Sequence, residues 1–374
     1  MKIIKTSHDE AIVFTTKIDA KAQQQISTFV SQKAFKGSHV RIMPDVHAGA
    51  GCVIGFTAKL IDKVVPNIVG VDIGCGMQVT NLGKIEINFK ELDSYIRKSI
   101  PHGFAVNKKP TIEWPKGLQQ RVKEVSERIG SSYERDLKSA GTLGGGNHFI
   151  EIAKGKDKNK YLVIHSGSRN FGLKVAEYHQ KKAKHICEGL TKNNILPKEL
   201  AYLTGEDMSN YLHDMQVAIE FADFSRKIMS KKIVGFLQLN YSDLDKFTTI
   251  HNYINLKDKI IRKGAISAHN NEKVIIPLNM RDGSLIAIGK GNENWNYSAP
   301  HGAGRVLSRK AAKEKLSLDK FKHEMRNVFT TSISKKTLDE SPMAYKGINQ
   351  ITDFITETIQ IVDQIKPIYN FKAN

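Results

Sequence analysis

Four stretches of this 374-residue chain read as helices, one of them from apolar residues at helical spacing. Tyr211, Met215, Ala218, Ile219 and Ala222 fall on one face, which predicts a core-facing helix over residues 210–229. Asp19 stands where an N-cap belongs, ahead of a predicted helix over 19–35. A charged helix is expected over 113–129, ending before Gly130, and a fourth over 352–365. Between them lie short β-branched runs bounded by glycine. They predict strands at 39–43, 52–58, 77–80, 148–152, 161–164, 260–267, 273–276 and 285–288. The order is mixed, without regular strand–helix alternation. This favours an α+β fold with mixed or antiparallel sheets and surrounding helices over a doubly wound sheet or a barrel. No repeat, low-complexity tract or Pro/Ser-rich linker interrupts the pattern, so one domain over residues 1–374 is expected.

Composition narrows the class. Hydrophobic residues make up 40% and charged residues 25%, as in an ordinary globular protein, and no apolar run is long enough to span a bilayer. The start, Met1 to His8, has no signal-peptide core. Cys52, Cys75 and Cys187 do not make a disulfide framework, so a reducing, cytoplasmic setting is expected. The 57 Lys and Arg against 38 Asp and Glu give a net charge of +19, which favours a polyanionic partner, nucleic acid before others.

The candidate chemistry sits beside glycines. In Ser298-Ala299-Pro300-His301-Gly302-Ala303-Gly304-Arg305 the glycines admit a phosphate close to the backbone and Arg305 offers a forked donor. That leaves His301 as a proton donor or a nucleophile on phosphorus. Asp72 and Cys75 share one tight loop, Asp72-Ile73-Gly74-Cys75-Gly76, and a carboxylate and thiolate so spaced can hold a metal. The run Gly144-Gly145-Gly146 leads into Asn147 and His148, with Glu151 following. An apolar strand ends in His165, then Ser166-Gly167-Ser168-Arg169. His251-Asn252, Arg262-Lys263-Gly264 and Pro44-Asp45-Val46-His47 complete the set. Singly, each cluster also fits a structural role: a buried cysteine in a turn, a capped strand, a solvated basic face. Together they group Asp72, Cys75, His148, His165 and His251 as metal-type ligands, and Arg169, Lys263, Arg305 and Arg309 as anion binders. One thiolate with imidazoles suits zinc, and added carboxylate and phosphate oxygens widen the choice to manganese.

At these residues the chain resembles the RtcB-type RNA-splicing ligases. The matching segments also include Gly141 to Glu151, His301-Gly302-Ala303-Gly304-Arg305 and Pro342-Met343-Ala344-Tyr345-Lys346, and they cover nearly the whole sequence. The chain reads as a compact variant, with Pro277-Leu278-Asn279-Met280-Arg281-Asp282 where many members have a Gly-Ser-Met turn and Ser298-Ala299-Pro300 where many have Ser-Cys-Ser. The resemblance implies a ligase that joins RNA 3′-phosphate or 2′,3′-cyclic phosphate ends to 5′-hydroxyl ends, using GTP and two manganese ions. It places the guanylylated residue at His301 and Cys75 between the two ions. It places guanylate contacts on Asn147, His148, Phe149, Ile150, Glu151, His251, Asn252, Pro277, Leu278, Asn279, Met280, Ser284, His301, Gly302, Ala303, Gly304 and Lys372. Broken or spliced tRNA is the implied substrate, an archease-type protein an implied activator, and a monomer the expected state. The competing readings are a 3′-phosphate guanylyl-capping enzyme, a metal-dependent phosphodiesterase, and a basic RNA-binding protein with a structural metal.

Overall fold

The computed structural model describes residues 1–111 and 113–373. In chain order its strands are β1 (Lys2–Lys5), β2 (Glu10–Val13), β3 (Val40–His47), β4 (Ile54–Lys59), β5 (Gly76–Gly83), β6 (Phe149–Lys154), β7 (Lys160–Ser166), β8 (Lys246–Ile250), β9 (Asn252–Asn255), β10 (Ile260–Lys263), β11 (Ala265–Ser267), β12 (Lys273–Asn279), β13 (Gly283–Gly289), β14 (Ser298–Pro300) and β15 (Ile359–Lys372). One sheet has the order β1-β2-β3-β4-β10-β9, a second β12-β13-β15-β6-β7-β5-β8, and β11 pairs with β14 alone. Among the described strands all pairings are antiparallel except β2 with β3, so the architecture is the expected α+β with mixed sheets. Among the described residues no helix is long and apolar enough to cross a membrane.

The helix read from the 211–222 face is longer than predicted, Gly205–Phe236, and all five face residues are buried. Its first half enters one apolar cluster through Met215, Ala218 and Phe221. Its last turns enter another through Met229, Ile233 and Val234. One helix therefore ties two cores together. Asp19 caps its helix as expected, its carboxylate accepting from the N–H of Ala22, but that helix is Ala20–Val30 and residues 33–35 form a separate 3-10 turn. The helix expected over 113–129 is Leu118–Ile129, because Gly117 takes a left-handed φ of 74° and starts it late.

Two expectations are corrected. Residues 260–267 are not one strand: the chain breaks at Gly264, whose φ is 58°. A Cβ there would collide with Ile54 and crowd His301, so the glycine lets the chain leave one sheet and enter another beside the histidine. The helix expected over 352–365 is Asn349–Ile355 only, and residues 359–365 begin β15. β15 lies centrally, between β13 and β6. Its ladder pairing makes these residues a strand, and Pro367, which has no N–H to offer the ladder, falls where the register shifts.

The last strand closes the second core. Phe371 is fully buried, and pairs with Ile150. Phe371→Ala is expected to cost about 3–5 kcal/mol, read as a lowered midpoint in urea denaturation.

Candidate active site

Register brings the polar groups together. β6, β7, β5 and β8 are neighbours, with Phe149 opposite His165, Met77 opposite His165, and Gly76 opposite both Ser166 and Ile250. His148 immediately precedes β6, Cys75 precedes β5 and His251 follows β8, so all three reach the same rim as His165. Adjacent strands are only about 4.8 Å apart, so side chains at one rim converge. Asp72 joins from the loop before β5, where the N–H of Cys75 donates to its carbonyl.

The donors form two groups that share one sulfur: Cys75, His165 and His251, and Asp72, Cys75 and His148. Within each, ligand atoms lie within 4.8 Å of one another. Cys75 Sγ is 3.2 Å from His165 Nε2 and 3.5 Å from His148 Nε2, and Asp72 Oδ2 is 3.4 Å from His148 Nε2. His148 Nδ1 faces the Leu143 carbonyl at 3.0 Å and His165 Nδ1 the Asn147 carbonyl at 3.2 Å. Each Nδ1 therefore donates; at His165 the Nε2 edge is aimed at the thiol, whereas His148 Nε2 faces both the thiol and the Asp72 carboxylate. Buried His251 Nδ1 has no partner among the described residues.

The titration directions suit cation binding. Burial, reinforced by nearby basic groups, holds His165 and His251 well below the ordinary histidine value, so both are neutral donors. Burial resists ionisation of Asp72, but the hydrogen bond and charge of His148 outweigh it and hold the carboxyl at about 2. Burial, then the Asp72 carboxylate, push the Cys75 thiol well up. Loss of the thiol proton is thus coupled to the arrival of a cation.

His301 follows β14, and its ring centre lies 4.9 Å from that of His251. Its Nδ1 donates to Asp45 Oδ2 at 2.7 Å, and Asp45 is completely buried. The carboxylate fixes the tautomer, so in the neutral ring the lone pair of His301 is on Nε2. Asp45 belongs to β3, which extends four residues beyond its predicted end. The approach is close: a Cβ on Gly304, at φ 73°, would strike the Asp45 backbone.

A cavity of about 280 Å³ opens beside these groups. Asn147, Phe149, Glu151, Asn252, Pro277, Leu278, Asn279, Met280, Ser284, Gly302, Ala303, Gly304, Arg305, Arg309 and Lys372 all line it, together with Asp72, Cys75, His165, His251 and His301. His148 and Ile150, also expected to contact guanylate, do not line it; alternation along β6 turns Ile150 into the apolar core. Burial pushes the Glu151 carboxyl up to about 8, and its Oε1 has no partner among the described residues although Asn370 donates to Oε2. Lys372, level with Phe149 in the β15–β6 ladder, pairs with Glu340 at 3.0 Å. Glu340 also accepts from Arg309 at 2.6 Å and from the Tyr345 hydroxyl at 2.7 Å, and these cations hold it at about 2 despite its burial.

Two of the expected anion binders lie outside this cavity. Lys263 Nζ donates to the carbonyls of Ala50 and Asn67. Arg169 donates to Thr142 Oγ1 and the Gly103 carbonyl, in the wall of a neighbouring cavity. Both charges are buried among carbonyls and brace loops. Sequence reasoning gave no role to Asp45, Glu340 or Asn370. The quoted Pro44-Asp45-Val46-His47 segment held the signal for the first. Nothing local distinguishes the other two.

The sequence matches the family model described as tRNA-splicing ligase RtcB over residues 28–373. It is 30% identical to the RNA-splicing ligase RtcB of Escherichia coli (strain K12), over 95% of each chain. It is 30% identical to the tRNA-splicing ligase RtcB of Nanoarchaeum equitans, over 90% of this chain and 88% of that one. With the tRNA-splicing ligase RtcB of Thermococcus kodakarensis it shares 25% identity over 96% and 92%. The chain belongs to the RtcB family of RNA-splicing ligases.

Proposed function

We propose that the protein is a GTP- and manganese-dependent RNA ligase that joins 3′-phosphate or 2′,3′-cyclic phosphate ends to 5′-hydroxyl ends through a guanylylated His301. The observation that carries this reading is the lone pair of His301 Nε2, freed by Asp45 and set beside two donor groups that share Cys75. The donor set fits divalent cations: neutral imidazoles, an ionised carboxylate and a thiol poised to lose its proton. Held by these residues, two such ions would supply charge neutralisation for phosphate oxygens.

The chain's own groups account for the steps. His301 Nε2 attacks the α-phosphorus of GTP; a P–N bond forms, a P–O bond breaks and pyrophosphate leaves. Asp45 keeps the proton on Nδ1 and balances the positive ring of the adduct. An RNA 3′-phosphate oxygen then attacks that phosphorus, breaking the P–N bond and restoring neutral His301. The 5′-hydroxyl of the second strand attacks the activated RNA phosphorus, loses its proton, and GMP leaves. A cyclic end is first hydrolysed to the 3′-phosphate. Glu151 supports guanine over other bases. Once ionised, its open oxygen accepts from the N1–H and N2–H donors of guanine, and adenine has neither.

The reading is tested by labelling with α-phosphate-labelled GTP. The native chain is expected to take an acid-labile label, and His301→Ala none. Asp45→Asn, which can hold the wrong tautomer, is expected to slow labelling by roughly 10³–10⁴-fold. A His301→Ala chain that still takes label contradicts the assignment.

A second expectation concerns pH. Below about pH 8 Glu151 is protonated and loses an acceptor, so GTP affinity should rise with pH as the carboxyl ionises. Between pH 6.5 and 8 the gain is roughly tenfold. Isothermal titration of Glu151→Gln should show weaker binding without this rise.

A further inference from the structure

Beside the catalytic cavity lies a second one of about 560 Å³ that the steps above do not use. The two share Glu340 as a wall, and the glycine loop divides them. Asn147 faces the first, whereas Gly145 and Gly146 face the second. Arg135, Arg169, Lys313 and Lys336 line the second cavity against Asp339 and Glu340. Both carboxylates are already engaged, Asp339 by Arg309 and Lys313, Glu340 by Arg309 and Lys372. Its surplus charge is therefore positive, and Arg135 and Lys336 are exposed.

Phe104 stands at the rim. Its side chain is 97% exposed, while every other described Phe, Tyr and Trp is buried or half-buried. The loop that carries it is tied at both ends. Gly103 donates its N–H to the Gly144 carbonyl, and its own carbonyl accepts from Arg169. Asn107 donates its N–H to the Lys138 carbonyl and its side-chain amide to the carbonyls of Lys138 and Ala140. A pinned loop that leaves a phenyl ring in water, over a cationic cavity that shares the Glu340 wall with the candidate active site, has the parts of a single-strand platform: a stacking face and charges for phosphates.

We propose that this cavity seats single-stranded RNA next to its reacting end, with Phe104 stacking on a base and Arg135 and Lys336 holding phosphates. The proposal rests on the RNA-ligase reading and names where the strand enters. Arg169 acts here as a positioning residue, because it fixes the Gly103 end of the loop.

The test is fluorescence anisotropy with a short 3′-phosphorylated single-stranded RNA. Phe104→Ala is expected to weaken binding roughly tenfold, and Phe104→Trp to restore it to within about twofold of native. Lys336→Glu should weaken binding and lower the slope of log affinity against log salt by about one. A Phe104→Ala chain that binds RNA within about twofold of native overturns the proposal and assigns the ring to a protein contact. Labelling of the native chain by GTP without RNA reports on the ligase reading alone, so the two failures are separable.

Discussion

One buried thiol shared between two sets of donors sets the terms for everything around it. Cys75 has to face His165 and His251 on one side and His148 and Asp72 on the other. That is possible only because β6, β7, β5 and β8 end level with one another, in a register fixed by the ladders behind them. A slip of one residue in any strand would turn its ligand to the opposite face. The support continues beneath. Arg226, fully buried on the helix Gly205–Phe236, donates to the carbonyls of Gly74 and Ser166, the neighbours of Cys75 and His165. The helix that joins the two apolar cores thereby also clamps the two loops that carry ligands. Polar groups this deep are held in place by packing.

The histidine proposed to take the guanylate comes from elsewhere in the fold. His301 follows the two-stranded β11–β14 sheet, and Asp45 reaches it from the six-stranded sheet. Gly264 is the bend that allows β10 to serve the six-stranded sheet and β11 to flank the histidine. The nitrogen and the donor groups thus meet where the three sheets meet. Such a junction gives a rigid approach, with the ring held by a buried carboxylate on one edge and free on the other.

Much of the site was legible in the sequence, and its geometry was not. Glycines next to His, Cys, Asp and Arg marked the segments, because close backbone approach and tight turns at strand ends demand glycine. The five metal-type ligands do converge. What local pattern could not supply was the direction of long side chains. Lys263 and Arg169 look like phosphate binders in sequence, yet both are spent on carbonyls. Ile150 sits in a run of site residues but alternates away. Asp45 was hidden because its role depends on a contact 256 positions away. β15 was hidden because its partners, β13 and β6, lie far back in the chain, and only pairing with them makes those residues a strand. The short strands β8 and β9 were missed for the same reason, and they flank His251.

The central claim is that two cations lie on either side of one sulfur beside His301. Electron paramagnetic resonance of the metal-free protein titrated with manganese addresses it directly. Two equivalents should bind, with a spectrum showing exchange coupling between the ions, and Cys75→Ala should lose that coupling. Saturation at one equivalent, or two ions with uncoupled spectra in the native chain, would contradict the account.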